Sequence, residues 1–207
     1  MPSSVERAGV AWRALGDSAL WAPRPNGASA RVLFTELRSC AGVVDAVVTE
    51  EKVCVYFNPG RVPTDLDGAL ERAAVARAPT EAREFVIRTR YDGLDLQELA
   101  ARNSQSDEAI VAAHAAGVYV VTLMGFLPGF AYLTGQGLDL VAPRRPVPRP
   151  RVEAGSVAVA AGYTAVYPFA SPGGWNVIGH AVGFEPFRSD TGATLRLGDH
   201  VRFERVG

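Results

Sequence analysis

Arg144, Arg149 and Arg151 lie in a segment, residues 143–151, where arginines alternate with prolines. It joins two stretches crowded with glycine, proline and aromatic residues. The first is Met124-Gly125-Phe126-Leu127-Pro128-Gly129-Phe130-Ala131-Tyr132-Leu133 and the second is Tyr167-Pro168-Phe169-Ala170-Ser171-Pro172-Gly173-Gly174-Trp175. A guanidinium is a planar fork that pairs with two oxygens of a carboxylate or phosphate, so arginines on a stiffened strand suit the capture of a small anion. Glycine and proline hold backbone shapes that other residues resist, so loops rich in both present their rings and amides in one fixed arrangement. The Pro128-Gly129 turn can aim backbone amides, Phe126 and Phe130 into a cleft shared with Ser171, Gly173, Gly174 and Trp175. A plainer reading stands beside this one. The arginines then form a solvated edge strand guarded by proline, and Phe126, Phe130 and Trp175 plug the ends of a barrel.

Other reactive side chains are sparse. His114 stands near the end of an expected helix, where a cation is favoured, and is a candidate acid, base or phosphate contact; His180 and His200 fall at strand ends. Ser171 has no histidine or acid beside it in sequence to activate it. Lys52 is the only lysine, which argues against a lysine-dependent mechanism, and neither a Walker P-loop nor a G-x-G-x-x-G fingerprint is present. The G-x-S-x-G, H-E-x-x-H and kinase patterns are missing as well. Cys40 and Cys54 form no C-x-x-C and lack histidines at metal-ligand spacing, so they read as two reduced, mostly buried thiols, and no protein-bound metal is expected.

The elements that must carry these groups follow from periodicity. A short strand at 19–21, an amphipathic helix at 30–40, a hairpin of residues 43–48 and 53–57 and a second helix at 65–78 make a first α+β unit of β-α-β-β-α character. Residues 85–91 alternate Phe85, Ile87, Thr89 and Tyr91 against Arg88 and Arg90, and open a second unit, with a boundary at 79–84. Asp95 and Ser106 are expected to cap two short inserted helices. Beyond them come short strands at 118–124, 156–160, 165–167 and 175–178, then a hairpin-like closure over 194–205 turning at Gly198-Asp199. So many short strands without long helices to cover them favour a closed barrel. At 207 residues and 48% hydrophobic composition the chain can fill two cores, divided as residues 1–82 and 83–207. A net charge of −1, from 21 basic and 22 acidic residues, supplies no field for nucleic acid or an anionic membrane. Residues 1–9 lack an apolar leader and no run approaches ~18 apolar residues, so a cytoplasmic protein is expected.

An ordered series of motifs now adds a resemblance. Gly125-Phe126-Leu127-Pro128-Gly129-Phe130-Ala131-Tyr132-Leu133, Pro143-Arg144-Arg145, Pro148-Arg149-Pro150-Arg151-Val152, Ala154-Gly155-Ser156-Val157 and Ser171-Pro172-Gly173-Gly174-Trp175 with Ile178-Gly179 resemble the family of the 5-oxoprolinase B subunit. That family is also labelled allophanate hydrolase subunit 1 or carboxyltransferase domain C/D and includes the kinase inhibitor KipI. Leu15-Gly16-Asp17-Ser18-Ala19 and Leu197-Gly198-Asp199-His200-Val201-Arg202-Phe203 extend the likeness to both ends.

The resemblance implies a small ferredoxin-like domain followed by a cyclophilin-like β-barrel. It implies the homologous 5-oxoprolinase C subunit and a third protein as partners, and ATP, as Mg-ATP, consumed while the lactam 5-oxoproline is opened to glutamate. It marks His114 and Arg149 as catalytic candidates. Phe126, Pro128, Gly129, Phe130, Arg144, Arg151, Tyr163, Ser171, Gly173, Gly174 and Trp175 become candidates for holding substrate or nucleotide. An allophanate or urea-processing subunit and a non-catalytic kinase regulator are the rival implications. The chain departs from the family pattern at Ala161-Gly162-Tyr163-Thr164-Ala165, Glu153 and His180-Ala181-Val182, which bears on substrate choice.

Overall fold

A computed structural model of the protein describes residues 10–76 and 82–207, which divide into two compact units on either side of residues 81 and 82. The boundary expected at 79–84 and the last residues of the helix expected at 65–78 lie in part outside the described residues, as do residues 1–9.

In the first unit β1 (Arg13–Ala14), β2 (Ala19–Pro23), β3 (Val43–Val48) and β4 (Lys52–Phe57) form an antiparallel sheet of order β1-β2-β4-β3. Helices α1 (Ala30–Ser39) and α2 (Leu66–Val75) pack on each other. Each follows from its apolar spacing: Ala30, Leu33 and Leu37 lie on one stripe of α1, and Leu66, Ala69, Leu70 and Ala73 on one stripe of α2. Val53 and Val55 of β4, with Ala46 and Val48 of β3, are the buried face of the sheet. The indole Nε1 of Trp12 donates to Asp67 Oδ1 at 2.8 Å, tying the strand-side start of the unit to α2.

The second unit opens with β5 (Glu84–Arg90), α3 (Leu96–Arg102) and α4 (Asp107–Ala116), then β6 (Tyr119–Met124), β7 (Ala131–Gly135), β8 (Arg149–Val152), β9 (Ser156–Ala160) and β10 (Tyr163–Val166). It ends with β11 (Ser171–Gly173), β12 (Asn176–Ala181), β13 (Phe187–Arg188), β14 (Gly192–Ala193) and β15 (His200–Arg205). Seven strands close a barrel in the order β10-β7-β6-β15-β5-β12-β9, and β9 pairs back to β10. The chain is thus a mixed α/β protein with a closed barrel.

Two local expectations are corrected. Residues 194–205 do not make a hairpin; β15 inserts between β5, which it pairs in parallel, and β6, which it pairs antiparallel. A barrel must cover every strand edge, so its last strand is recruited by two distant partners instead of its sequence neighbour. Asp95 precedes α3 without capping it through its side chain, because its carboxylate is committed elsewhere. Ser106 does cap α4, its Oγ accepting from Ala109 N at 3.1 Å.

Strand β9 is buried at every position. Ala158 and Ala160 face an aromatic cluster on one side of the strand and Val157 and Val159 alternate to the other side, so the strand reads as a continuous apolar run. Outside the barrel, β8 and β11 form a two-stranded ribbon with Ser171 opposite Val152 and Gly173 opposite Arg149. That ribbon and the loop between β6 and β7 build the candidate site.

Candidate functional site

The loop from β6 to β7 is a tight turn. Phe130 N donates to Leu127 O at 3.0 Å across Pro128 and Gly129, and Gly129 has φ +80°. Proline first and a left-handed glycine second is the requirement of a type II turn. A Cβ on Gly129 would lie 2.7 Å from both Phe187 Cβ and Pro186 O, so the close approach excludes other residues as firmly as the dihedral does. Gly125 N donates to Phe130 O at 3.2 Å and closes the loop base, and Phe126 between them adopts φ +73° while 60% exposed. A bulky side chain held there is strained and solvent-facing, a combination found where function maintains it.

Phe130 is the hub of the aromatic cluster. Its ring centroid lies 5.3 Å from Phe126, 4.9 Å from Tyr132, 5.3 Å from Tyr167 and 5.5 Å from Trp175, all edge to face. Tyr163 meets Tyr132 at 5.5 Å and lies nearly parallel to Trp175 at 6.4 Å. The two stretches singled out in the sequence therefore meet, at Phe130 and Trp175. Phe130 and Trp175 are buried anchors, whereas Tyr132, Tyr163 and Leu127 are partly open. A Cβ on Gly173 would strike the Tyr167 hydroxyl at 2.4 Å, so glycine there makes room for the ring. The hydroxyl of Ser171 is buried with no hydrogen-bond partner, and nothing among the described residues activates it.

The arginine segment is laced to the same loop. Asn176 Nδ2 donates to Pro143 O at 2.9 Å and Arg145 N donates to Gly174 O at 2.7 Å. Arg149 forks onto Asp95, with Nη1 2.8 Å from Oδ2 and Nη2 bonded to Oδ1. Arg145 Nη1 reaches the same Oδ1 at 2.8 Å and Val177 N donates to Oδ2 at 2.7 Å. Asp95, 2% exposed, is thus satisfied by two guanidiniums and one amide. Arg151 pairs with exposed Glu153 at 2.7 Å. Arg144 is exposed and has no hydrogen bond or ion pair among the described residues. Burial raises the pKa of Tyr132 and Tyr167, and the positive charge of Arg144 acts against that rise at both phenols.

His114 lies apart from this cluster, fully buried in the barrel between Tyr119 and Phe203. Its Nδ1 is 2.8 Å from Tyr91 Oη and its Nε2 is 2.9 Å from Thr164 Oγ1, which itself donates to Ala158 O at 3.2 Å. Since the threonine proton is used on Ala158, the geometry assigns the imidazole proton to Nε2 and makes Nδ1 the acceptor from Tyr91. Burial drives the His114 pKa down to about 3, so the group is neutral, and the cation expected at the end of α4 is not formed. Sequence reasoning passed over Asp95 as a binding partner, Tyr132, Tyr167 and Asn176. The tyrosines were visible inside the quoted motifs; Asp95 offered only a capping signal.

Among the described residues no group of three or more His, Cys, Asp or Glu side chains is placed to hold a metal ion. Among the described residues no helix is long and apolar enough to cross a membrane. The first unit holds a cavity of about 460 Å³ lined in part by Trp12, Leu20, Phe57, Leu66, Asp17 and Asp67, and none of the expected site residues reaches it.

A two-unit α/β protein whose closed barrel carries an aromatic cluster flanked by a guanidinium-bearing ribbon is the class these features define. The family model for the carboxyltransferase domain, subdomain C and D, matches residues 11–194, and the chain belongs to that family. It is 39% identical over 180 residues to a protein of Escherichia coli O157:H7 named as the B subunit of 5-oxoprolinase, covering 83% of this chain and 82% of that one. A Bacillus subtilis (strain 168) protein of the same name is 43% identical over 116 residues, 55% of this chain; the match spans about half, 48%, of that relative. The solved structure of TTHA0988 is 37% identical with a TM-score of 0.74, covering 91% of this chain and 40% of that longer one.

Proposed function

We propose that this chain is one component of an ATP-dependent 5-oxoprolinase, opening the lactam of 5-oxoproline to glutamate in the cytoplasm together with the homologous C subunit and a third protein. The observation that carries the reading is the likeness, along most of both chains, to the Escherichia coli protein named as the B subunit of 5-oxoprolinase. In this reading the first unit is ferredoxin-like, supported by its β-α-β-β-α succession from β2 to α2, and the barrel is cyclophilin-like. The domains then fall at residues 1–82 and 83–207.

The chemistry agrees with the groups present. A lactam is a poor electrophile in water; moving the γ-phosphoryl of ATP onto the amide oxygen makes that carbon open to attack by water. The ring C–N bond then breaks, the nitrogen takes a proton, and ADP and phosphate leave. The site must therefore hold oxyanions beside a small flat ring. Arg144 supplies an uncommitted guanidinium, and Tyr132, Tyr163 and the Trp175 edge supply an apolar wall. Magnesium arrives with ATP. His114 and Arg149, expected as catalytic, are engaged by Tyr91 and Thr164 and by Asp95, so in this reading they act by holding the barrel and the ribbon in shape.

The test is ATP hydrolysis by the chain mixed with its partner subunits, with and without 5-oxoproline. Lactam-stimulated hydrolysis that needs this chain is expected. A complete mixture that 5-oxoproline fails to stimulate overturns the proposal, and stimulation by allophanate instead would move the reaction to a different amide.

A further inference from the structure

We infer that Arg144 is the residue by which this chain selects a ligand bearing an oxyanion, with Asp95 holding the neighbouring guanidiniums of Arg145 and Arg149 away from it. The inference rests on the reading above that a small anionic ligand meets the aromatic cluster.

Four guanidiniums, at 144, 145, 149 and 151, share one short segment, and sequence alone cannot rank them. The structure does. Arg149 gives both terminal nitrogens to Asp95, Arg145 gives one to Asp95 and lies 3.3 Å from Glu98, and Arg151 is forked onto Glu153. Each of those cations already has a carboxylate, so an incoming anion would have to displace it. Arg144 has none among the described residues, and it is exposed.

Its position is also set. The carbonyl before it, Pro143 O, is held by Asn176, and the amide after it, Arg145 N, is held by Gly174 O. Residue 144 is therefore held on both flanks by residues 174 and 176, on either side of Trp175, whose ring abuts Tyr132 and Tyr163. With the backbone fixed at both flanks, binding costs only the rotamer freedom of the side chain itself and no ordering of the loop, which favours its use for recognition. The charge of Arg144 is felt at Tyr132 and Tyr167, two phenols that pack against Phe130. The ligand class that matches is a small flat body with one carboxylate or phosphate at its edge. Those two oxyanions share the chemistry and come from different molecules, the lactam or the nucleotide.

Calorimetric titration of the full chain assembled with its partner subunits separates them. The probes are 5-oxoproline against 2-pyrrolidinone, the same ring without its carboxylate, and ATP against adenosine. Arg144→Ala is expected to weaken one oxyanion-bearing probe by roughly 10-fold or more and leave its neutral counterpart unchanged, as loss of a charged hydrogen bond requires. Arg144→Lys should recover part of the loss, because an ammonium keeps the charge and not the fork. Because Arg144 is exposed and has no hydrogen bond or ion pair among the described residues, both variants should melt with wild type, as should the control Arg188→Ala, which removes an exposed pair with Glu185. Loss for 5-oxoproline alone assigns the carboxylate, and loss for ATP alone assigns the phosphates. If wild type binds these probes and Arg144→Ala binds them equally well, the inference fails while the functional reading stands. Should the wild-type assembly bind neither 5-oxoproline nor ATP, the reading fails and takes this inference with it.

Discussion

At the scale of single residues, His114 and Asp95 are both almost wholly removed from water, and each is satisfied in a different way. His114 is held neutral by Tyr91 and Thr164. Its folded pKa is about 3 against an unfolded value of 6.5, so above pH 6.5 both states are neutral and the full stability is present. As pH falls below that value the unfolded chain takes up a proton that the folded chain refuses. Stability then drops by about 1.4 kcal/mol per pH unit. Urea midpoints compared at about pH 7 and about pH 5 should show this fall, and His114→Gln should flatten it; an unchanged slope in the variant would place the titration elsewhere. Asp95 is satisfied by ion pairs. Asp95→Ala strands two partly buried guanidiniums and should lower unfolding stability by about 3 kcal/mol, whereas Arg151→Ala, at an exposed pair, should leave it unchanged. Equal effects of the two would deny Asp95 its organising role.

Among the elements, the loop between β6 and β7 shows how backbone chemistry delivers a side chain. The Pro128-Gly129 turn reverses the chain so that Phe130 enters the core while Phe126 stays outside. Gly129→Ala would set a Cβ against Pro186 O and Phe187 in a left-handed conformation, so the loop must shift. A loss of about 1–3 kcal/mol in thermal or urea unfolding is expected, together with quenched lactam-stimulated ATP hydrolysis in the assembly. A variant with wild-type activity and stability would show that the turn is not what places Phe130. The β8–β11 ribbon is the matching device on the other side. Pro150 removes a donor from β8, which a two-stranded ribbon tolerates and a central barrel strand would not.

For the whole molecule, each unit has its own core, and in the second one closure depends on chain segments far apart in sequence. Strand β15 fills the gap between β5 and β6, with His200 opposite Glu84 on one side and Val120 on the other. A chain cut at residue 198 would leave the facing edges of β5 and β6 unpaired. Loss of near-UV circular dichroism from the barrel aromatics and aggregation on size exclusion are expected. A truncated chain that stays monomeric with a native aromatic spectrum would show the barrel does not need its closing strand. The same closure buries Asp199, whose carboxylate is bonded by Arg83 and by Arg196 N.

Local order was legible because its causes are local. Apolar spacing marked α1 and α2, β-branched runs marked β3 and β4, Ser106 marked the start of α4, and proline followed by glycine marked the turn at Pro128-Gly129. The ordered motifs likewise pointed to the family that residues 11–194 match. What stayed hidden was every outcome set by partners distant in sequence: the parallel pairing of β15 with β5, the neutrality of His114, and the division of labour among the arginines. A guanidinium looks the same in sequence whether it is free or bound, and only the fold brings Asp95 to Arg149 across 54 residues while leaving Arg144 open. Composition and spacing determined which groups the protein owns; tertiary structure decided which of them remain available, because charge and hydrogen-bonding capacity are used up by whatever the folded chain places within reach.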